Sequence, residues 1–421
     1  MSNPSTLFNL PLPVAISERQ IQSDSGDLSF HILEAGVDDS YKRPLLLLLH
    51  GFPEIAYSWR KLMPPLASAG YYVVAVDHRG FGRTTGWDTR PFKEADLRSF
   101  SITNIIRDVI VLVHALGYER VRCIISHDMG AVLGAASALA RPDLFEGLIL
   151  MSHPFKGSPV LPFDTKHPST GFKVENTAGL PNIHEELAKL QEPRKLYKWY
   201  YSTEPANSDM LNPPEGLHKF LRGYFHLKSA DWTGNDPHTL KTWNAYELSK
   251  LPYYYTMPLG DSMREAIERD MENENIEEVK KKGSRWLTDE ELDVYVKEYQ
   301  RTGFQGGLNW YRVQTDPHNR RDFDMFAGKK LEVPTLYIAG TKDWGKRPST
   351  ALSTTKIVTE GYTLGSFQEP GALEKMPRFC TDFRGSKFID NAGHWVAQEQ
   401  PEEVLKEVLG FLKTLHPGER L

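Results

Sequence analysis

The feature that most constrains this chain is a series of short, unbroken apolar runs, each followed by a helical stretch. Residues 45–49 are five leucines, residues 71–76 are all aromatic or apolar, and residues 121–126 and 148–152 are mostly apolar, with Arg122, Ser126 and Ser152 as the exceptions. A strand exposed on one face alternates apolar and polar residues. An unbroken run of this length reads as a strand covered on both faces. Between the runs, residues 57–68, 101–116 and 129–140 carry helical periodicity, with Ser101 or Thr103 placed to cap the second. Residues 28–34 alternate, as a half-exposed strand would. Strand, helix, strand at this spacing predicts right-handed crossovers and a mostly parallel sheet flanked by helices, an α/β fold.

After Pro154 the pattern stops. Residues 155–329 hold no buried strand run but helical stretches near 182–203, 207–227, 261–282 and 288–302. The heavily charged part, 261–300, reads as a solvated helical face. A buried strand resumes at 334–339, another follows at 387–390, and 401–415 closes as an amphipathic helix. At 421 residues the chain exceeds the roughly 250–300 that one core fills. Setting 155–329 aside leaves a length normal for one α/β domain. The expected organisation is therefore a core in two parts, 1–154 and 330–421, interrupted by a helical cap over 155–329.

Composition excludes several function classes. Net charge is −5, so no global basic field favours nucleic acid. Mean hydropathy is −0.45 and no apolar run is long enough for a membrane span. Two cysteines, Cys123 and Cys380, argue against a disulfide framework, and the 14 histidines form no metal-ligating spacing. The first residues do not read as a secretory signal, and the last three, Glu-Arg-Leu, do not match the Ser-Lys-Leu address. A cytoplasmic protein is the expectation. Oligomeric state is not set by the sequence, and a homodimer stays open.

In open α/β sheets, sites form at the carboxyl ends of the strands. Here those ends read His50-Gly51-Phe52-Pro53-Glu54, Ser126-His127-Asp128-Met129-Gly130-Ala131, Gly340-Thr341-Lys342-Asp343-Trp344 and Asn391-Ala392-Gly393-His394-Trp395. An α/β-hydrolase keeps its oxyanion loop, nucleophile, acid and histidine at these places. The Ser126-x-Asp128-x-Gly130 segment has the spacing of a nucleophile elbow, with Asp128 at its centre and no Gly-x-Ser-x-Gly elsewhere. A plain helix cap is the competing reading of Asp128. The order Asp128, Asp343, His394 argues against it. A carboxylate can displace at an sp³ carbon and form an ester on itself, which a histidine-activated water then hydrolyses. The oxyanion donors would be the backbone N–H groups of Phe52 and Met129. Opening an epoxide and displacing a halide are the two common chemistries of this kind.

The chain resembles the epoxide hydrolase branch of the α/β-hydrolase family. The match runs through His50–Glu54, the Asp128 elbow, Gly393-His394-Trp395 and the segment Gly303-Phe304-Gln305-Gly306-Gly307-Leu308-Asn309-Trp310-Tyr311-Arg312. That last segment is similar to the cap stretch presenting one of the family's two epoxide-binding tyrosines, which implies the role for Tyr311. Tyr197-Lys198-Trp199-Tyr200-Tyr201 is similar to the earlier one; Tyr197 is the best match, with Tyr200 and Tyr201 as alternatives. A phenol can hydrogen-bond the departing ring oxygen and protonate it. The resemblance implies a cofactor-independent hydrolase of a small-molecule epoxide, with His50, Pro53, Trp310, Trp395 and His153 near the substrate. His127 is read as structural or pocket lining, His114 as a core residue, and Asp77 and Arg79 as a pair that stiffens the core. Met129 stands where relatives often carry Trp, and a thioether has no N–H for a halide. That counts against the alternative of a haloalkane or haloacid dehalogenase. A ligand-binding hydrolase fold without turnover is the remaining alternative.

Overall fold

The computed structural model describes residues 7–23, 27–37, 40, 42–159, 182–238, 240–344 and 371–415, the side chains of 317–320 excepted. Residues 160–181 of the insertion and 345–370, between Asp343 and His394, lie outside the described residues.

Among the described residues, eight strands form one sheet: β1 (Ile16–Gln22), β2 (Ser29–Ala35), β3 (Leu45–Leu49), β4 (Tyr72–Val76), β5 (Cys123–His127), β6 (Leu148–Met151), and, after the helical insertion, β9 (Thr335–Gly340) and β10 (Phe383–Ile389). A small pair inside the insertion, β7 (Arg194–Leu196) and β8 (Thr256–Pro258), stands apart from it. The order is β1-β2-β4-β3-β5-β6-β9-β10. β1 and β2 run antiparallel, as do β2 and β4, and all other neighbours are parallel. Every residue of β3, β4, β5, β6 and β9 is buried, as unbroken apolar runs require. The helices α1 (Met63–Ser68), α2 (Ile102–Ala115) and α3 (Met129–Ala140) connect the first strands.

β6 pairs directly with β9, Met151 opposite Ile338. The chain thus leaves the sheet after β6 and returns to the neighbouring position. Between them stand α4 (Ile183–Ala188), α5 (Tyr197–Tyr201), α6 (Ala206–Leu211), α7 (Leu217–Lys228), α8 (Ala245–Leu248), α9 (Met263–Met271), α10 (Ile276–Gly283), α11 (Asp289–Thr302) and α12 (Gln305–Thr315). Three helices, α13 (Ala372–Lys375), α14 (Val396–Glu399) and α15 (Pro401–Thr414), complete the described chain.

The expected long helices are broken where proline and β pairing intervene. Residues 182–203 split into α4, β7 and α5 around Pro193, and 207–227 splits at Pro213-Pro214. Residues 57–68 become a 3₁₀ turn, Ala56–Trp59, and α1, with Pro64 and Pro65 in its first turn. His114 is exposed, not in the core: it falls on the solvent side of α2. Asp77 and Arg79 do not pair. Arg79 holds Asp108 through two 2.7 Å bonds, while Asp77 accepts from the backbone of Ala56 and Arg83 and contacts His31.

The insertion is fastened to the core by buried charge. Arg83 Nε donates to Glu298 of α11 at 2.7 Å, both side chains almost fully buried. Removing one charge from such a pair leaves the other buried and under-compensated. Glu298→Gln is therefore expected to lower stability by about 3 kcal/mol, read by urea unfolding. A loss within 0.5 kcal/mol, in the manner of a surface substitution, would contradict this.

Candidate active site

The turn from β5 into α3 places Asp128 at φ 51° and ψ −121°, outside the regions most side chains adopt. Asp128 occupies the cap position of α3, yet its side chain makes no cap hydrogen bond. The carboxylate turns instead toward the loop after β3, where the Phe52 N–H donates to Oδ1 at 3.0 Å. The turn requires small neighbours. A Cβ on Gly51 would lie 2.3 Å from that of Asp128, and one on Gly130 would lie 2.3 Å from the Leu49 carbonyl. Met129, the other expected oxyanion donor, opens α3 immediately after Asp128.

Two histidines face the second oxygen. His153 Nε2 lies 3.2 Å and His394 Nε2 3.5 Å from Asp128 Oδ2. Behind His394, its Nδ1 lies 3.5 Å from Asp343 Oδ2. Asp343 and His394 come from the loops after β9 and β10, which are joined by Lys342 N–H to the Ala392 carbonyl at 2.8 Å. All four side chains are buried. Burial pulls the His394 imidazole down, but the carboxylates of Asp343 and Asp128 outweigh it and raise its pKa to about 9. Burial brings His153 down to about 4. Burial opposes ionisation of Asp128 too, yet hydrogen bonds with His153 and His394 hold its carboxyl well below the ordinary range.

The backbone of His394 is itself held. Its N–H donates to the Lys228 carbonyl of α7 at 2.8 Å. Its carbonyl accepts from His127 Nε2 at 2.7 Å and from the Ser152 hydroxyl at 3.2 Å. His127 Nδ1 in turn meets Glu54 at 2.5 Å, so His127 is a strut between two site loops. Glu399 accepts the Gly393 and Trp395 N–H groups on either side of His394, and that of Ala230 from the insertion. Sequence reasoning assigned Glu54 and Glu399 no role. Glu54 stood in a quoted motif; Glu399 gave no signal, because its partners are backbone groups.

Two tyrosines close the space from the insertion. Gly306 and Gly307 let α12 approach the core. A Cβ on Gly306 would lie 2.1 Å from the Gly80 carbonyl, and one on Gly307 2.9 Å from Phe52 and Phe81. Tyr311 follows Gly307 by one helical turn on the same face, its ring 5.6 Å from that of Phe52. Tyr197, the first residue of α5, has its ring 6.0 Å from that of Tyr311. Burial raises both phenols well above their ordinary pKa, and the charge of Asp128 adds to this. Both therefore remain proton donors at neutral pH. Tyr200 donates to Asp209 at 3.0 Å and Tyr201 to Tyr224 at 3.1 Å, so these two hydroxyls are already committed.

Three residues expected at the substrate are engaged in the scaffold. The Trp310 indole N–H donates to the Arg79 carbonyl, and that of Trp395 to the Phe225 carbonyl, each fixing the insertion to the core. His50 is fully buried between the Gly51 carbonyl and the His78 N–H. Their aromatic and polar groups satisfy buried backbone atoms, which a sequence motif does not distinguish from pocket lining. Pro53 is buried directly behind Phe52.

Residues 44–182 match the model of the alpha/beta hydrolase fold family. The chain is 28% identical over 390 residues to epoxide hydrolase B of Mycobacterium tuberculosis, covering 89% of this chain and 92% of the relative. It is 29% identical over 395 residues to epoxide hydrolase A of the same organism, covering 93% and 96%. Among solved structures, epoxide hydrolase A from Mycobacterium thermoresistibile is 28% identical with a TM-score of 0.64, over 96% of this chain and 100% of that one. Potato (Solanum tuberosum) epoxide hydrolase I is 26% identical with a TM-score of 0.62, over 94% and 99%.

Proposed function

We propose that this chain, a member of the epoxide hydrolase branch of the α/β-hydrolase superfamily, converts an epoxide to a vicinal diol through an ester on Asp128. One observation carries the reading. The Asp128 carboxylate has one oxygen on the Phe52 N–H, the other facing His394 backed by Asp343, and two buried phenols across the site.

In the first step Asp128 Oδ2 attacks a ring carbon, and the carbon–oxygen bond of the ring breaks. Tyr311 and Tyr197 hydrogen-bond that oxygen, and one phenol gives it a proton. Oδ1, now the ester carbonyl, stays on the Phe52 N–H, and the Met129 N–H is the second donor on this reading. Esterification removes the charge on Asp128 that helped raise the His394 pKa. His394 then gives up its proton, which restores the phenol, and becomes a base. It takes a proton from water as the water oxygen attacks Asp128 Cγ. The bond between Cγ and Oδ2 breaks and the diol leaves with Oδ2. One water proton ends on the diol and the other restores the imidazolium. Residues 155–329 act on this reading as the cap that supplies the phenols.

The test is diol formation from a panel of aryl, aliphatic and terpenoid epoxides. Diol from at least one is expected; halide release from halogenated compounds with no diol from any epoxide would replace this reading with dehalogenation. On the best substrate, Tyr311→Phe and Tyr197→Phe should each lower the rate of adduct formation roughly 10²-fold, as general acids do. Tyr200→Phe should stay within a few-fold. Stopped-flow single-turnover kinetics separate the cases.

A further inference from the structure

The step after Tyr197 on α5 carries a feature the mechanism does not use. Lys198 is only 5% exposed, and its Nζ has no hydrogen-bond partner among the described residues. A buried ammonium without a partner is costly, and the usual remedy is a carboxylate beside it. The amine lies within electrostatic reach of Asp128 and of His153. Lys156, where the chain leaves the core, lies within reach of it too and adds like charge.

The neighbouring Lys228 shows what a settled buried lysine looks like here. Its Nζ lies 4.6 Å from the ring centroid of Tyr224, 4.9 Å from Tyr255, 5.3 Å from Tyr254 and 5.8 Å from Tyr197, a cage of aromatic faces. Among the described residues Lys198 has only the Tyr197 ring, at 5.9 Å. For a neutral epoxide a buried amine with no partner is a loss in stability, and the loss is offset if the lysine meets an anion that arrives with the substrate.

From the proposed epoxide chemistry, we infer that Lys198 binds a carboxylate carried by the substrate, so that the epoxide this site selects is an epoxy acid with its carboxylate within a few bonds of the ring. Tyr197 and Lys198 are consecutive residues, so the phenol that takes the ring oxygen and the amine that takes the carboxylate are set by one short helix. The ammonium also shields the incoming carboxylate from that of Asp128. Burial lowers the pKa of the empty amine well below the usual lysine range, and a carboxylate docked against it restores the charged form.

The experiment compares an aryl glycidic acid with its carboxamide, equal in shape and differing in charge, as substrates of the wild type, Lys198→Met and Lys198→Arg. The wild type is expected to favour the acid in kcat/KM by at least tenfold. Lys198→Met should lower that acid-to-amide ratio at least tenfold, and Lys198→Arg should recover most of it. Lys198→Met should also melt at a higher temperature than the wild type, because it removes a buried amine with no hydrogen-bond partner among the described residues. A ratio that Lys198→Met leaves unchanged overturns the inference, as does a wild type that prefers the amide. Diol from the amide with no preference for the acid sinks only the assignment of Lys198. No diol and no covalent adduct from any epoxide removes the epoxide reading and this inference with it.

Discussion

Asp128→Asn is expected to abolish diol formation, with a loss of roughly 10⁵-fold in kcat, on the scale seen when a covalent nucleophile is removed. Asn is the better probe than Ala because it keeps the shape and tolerates a positive φ, here 51°. The variant should retain its circular dichroism spectrum, so that the loss reports chemistry. It should also change His394. The wild-type pKa of about 9 rests first on Asp343 and then on Asp128, against burial. Removing the Asp128 charge should bring it down, visible as an altered imidazole titration by NMR. Full turnover in the variant would end the mechanism.

His394→Gln is expected to trap the enzyme after the first step. Epoxide should be consumed in one equivalent, and the intact protein mass should rise by that of the epoxide. The added mass should map to the peptide containing Asp128. The corresponding change at His153 should slow turnover without accumulating adduct. His153 is the nearer of the two to Asp128, at 3.2 Å against 3.5 Å, but burial brings its pKa to about 4, and the paired carboxylate of Asp343 faces His394. The wild-type pH dependence follows from the same arrangement. Ester hydrolysis needs neutral His394, so its rate should fall as pH drops below the pKa of the alkylated enzyme. That value lies below about 9, since the ester has removed the Asp128 charge. Adduct formation does not need neutral His394 and should persist to lower pH, because Asp128 stays ionised there. Adduct should therefore accumulate in the wild type as pH is lowered. An adduct in the His153 variant and none in the His394 variant would reverse the roles.

The buried strands were legible because an apolar run such as 45–49 permits only one environment. The elbow was legible because a strained turn between strand and helix requires small residues at fixed spacing, and Ser126, Asp128 and Gly130 supply it. The first strand, β1, was not anticipated, since only its first and sixth residues are buried. Periodicity alone reads 182–203 and 207–227 as continuous helices, and Pro193 and Pro213-Pro214 interrupt them. The resemblance implies Trp310, Trp395 and His50 near the substrate. In the structure their polar atoms satisfy buried backbone groups.

The choice among the early tyrosines shows where sequence information stops. Tyr197, Tyr200 and Tyr201 stand within one five-residue helix, and nothing in their order separates them. Hydrogen bonds to Asp209 and Tyr224 occupy two of the hydroxyls, and these partners come from α6 and α7. The sequence by itself determined the buried strands of the sheet, the Asp128 turn and the order of acid and histidine, because burial and backbone strain restrict residue types locally. Tertiary structure alone decided which groups come together: His127 bracing His394, Glu399 clamping its loop, Tyr197 facing Tyr311, and Lys198 buried within electrostatic reach of Asp128. Those contacts join segments far apart in the chain, and their energy depends on distance and burial rather than on spacing along it.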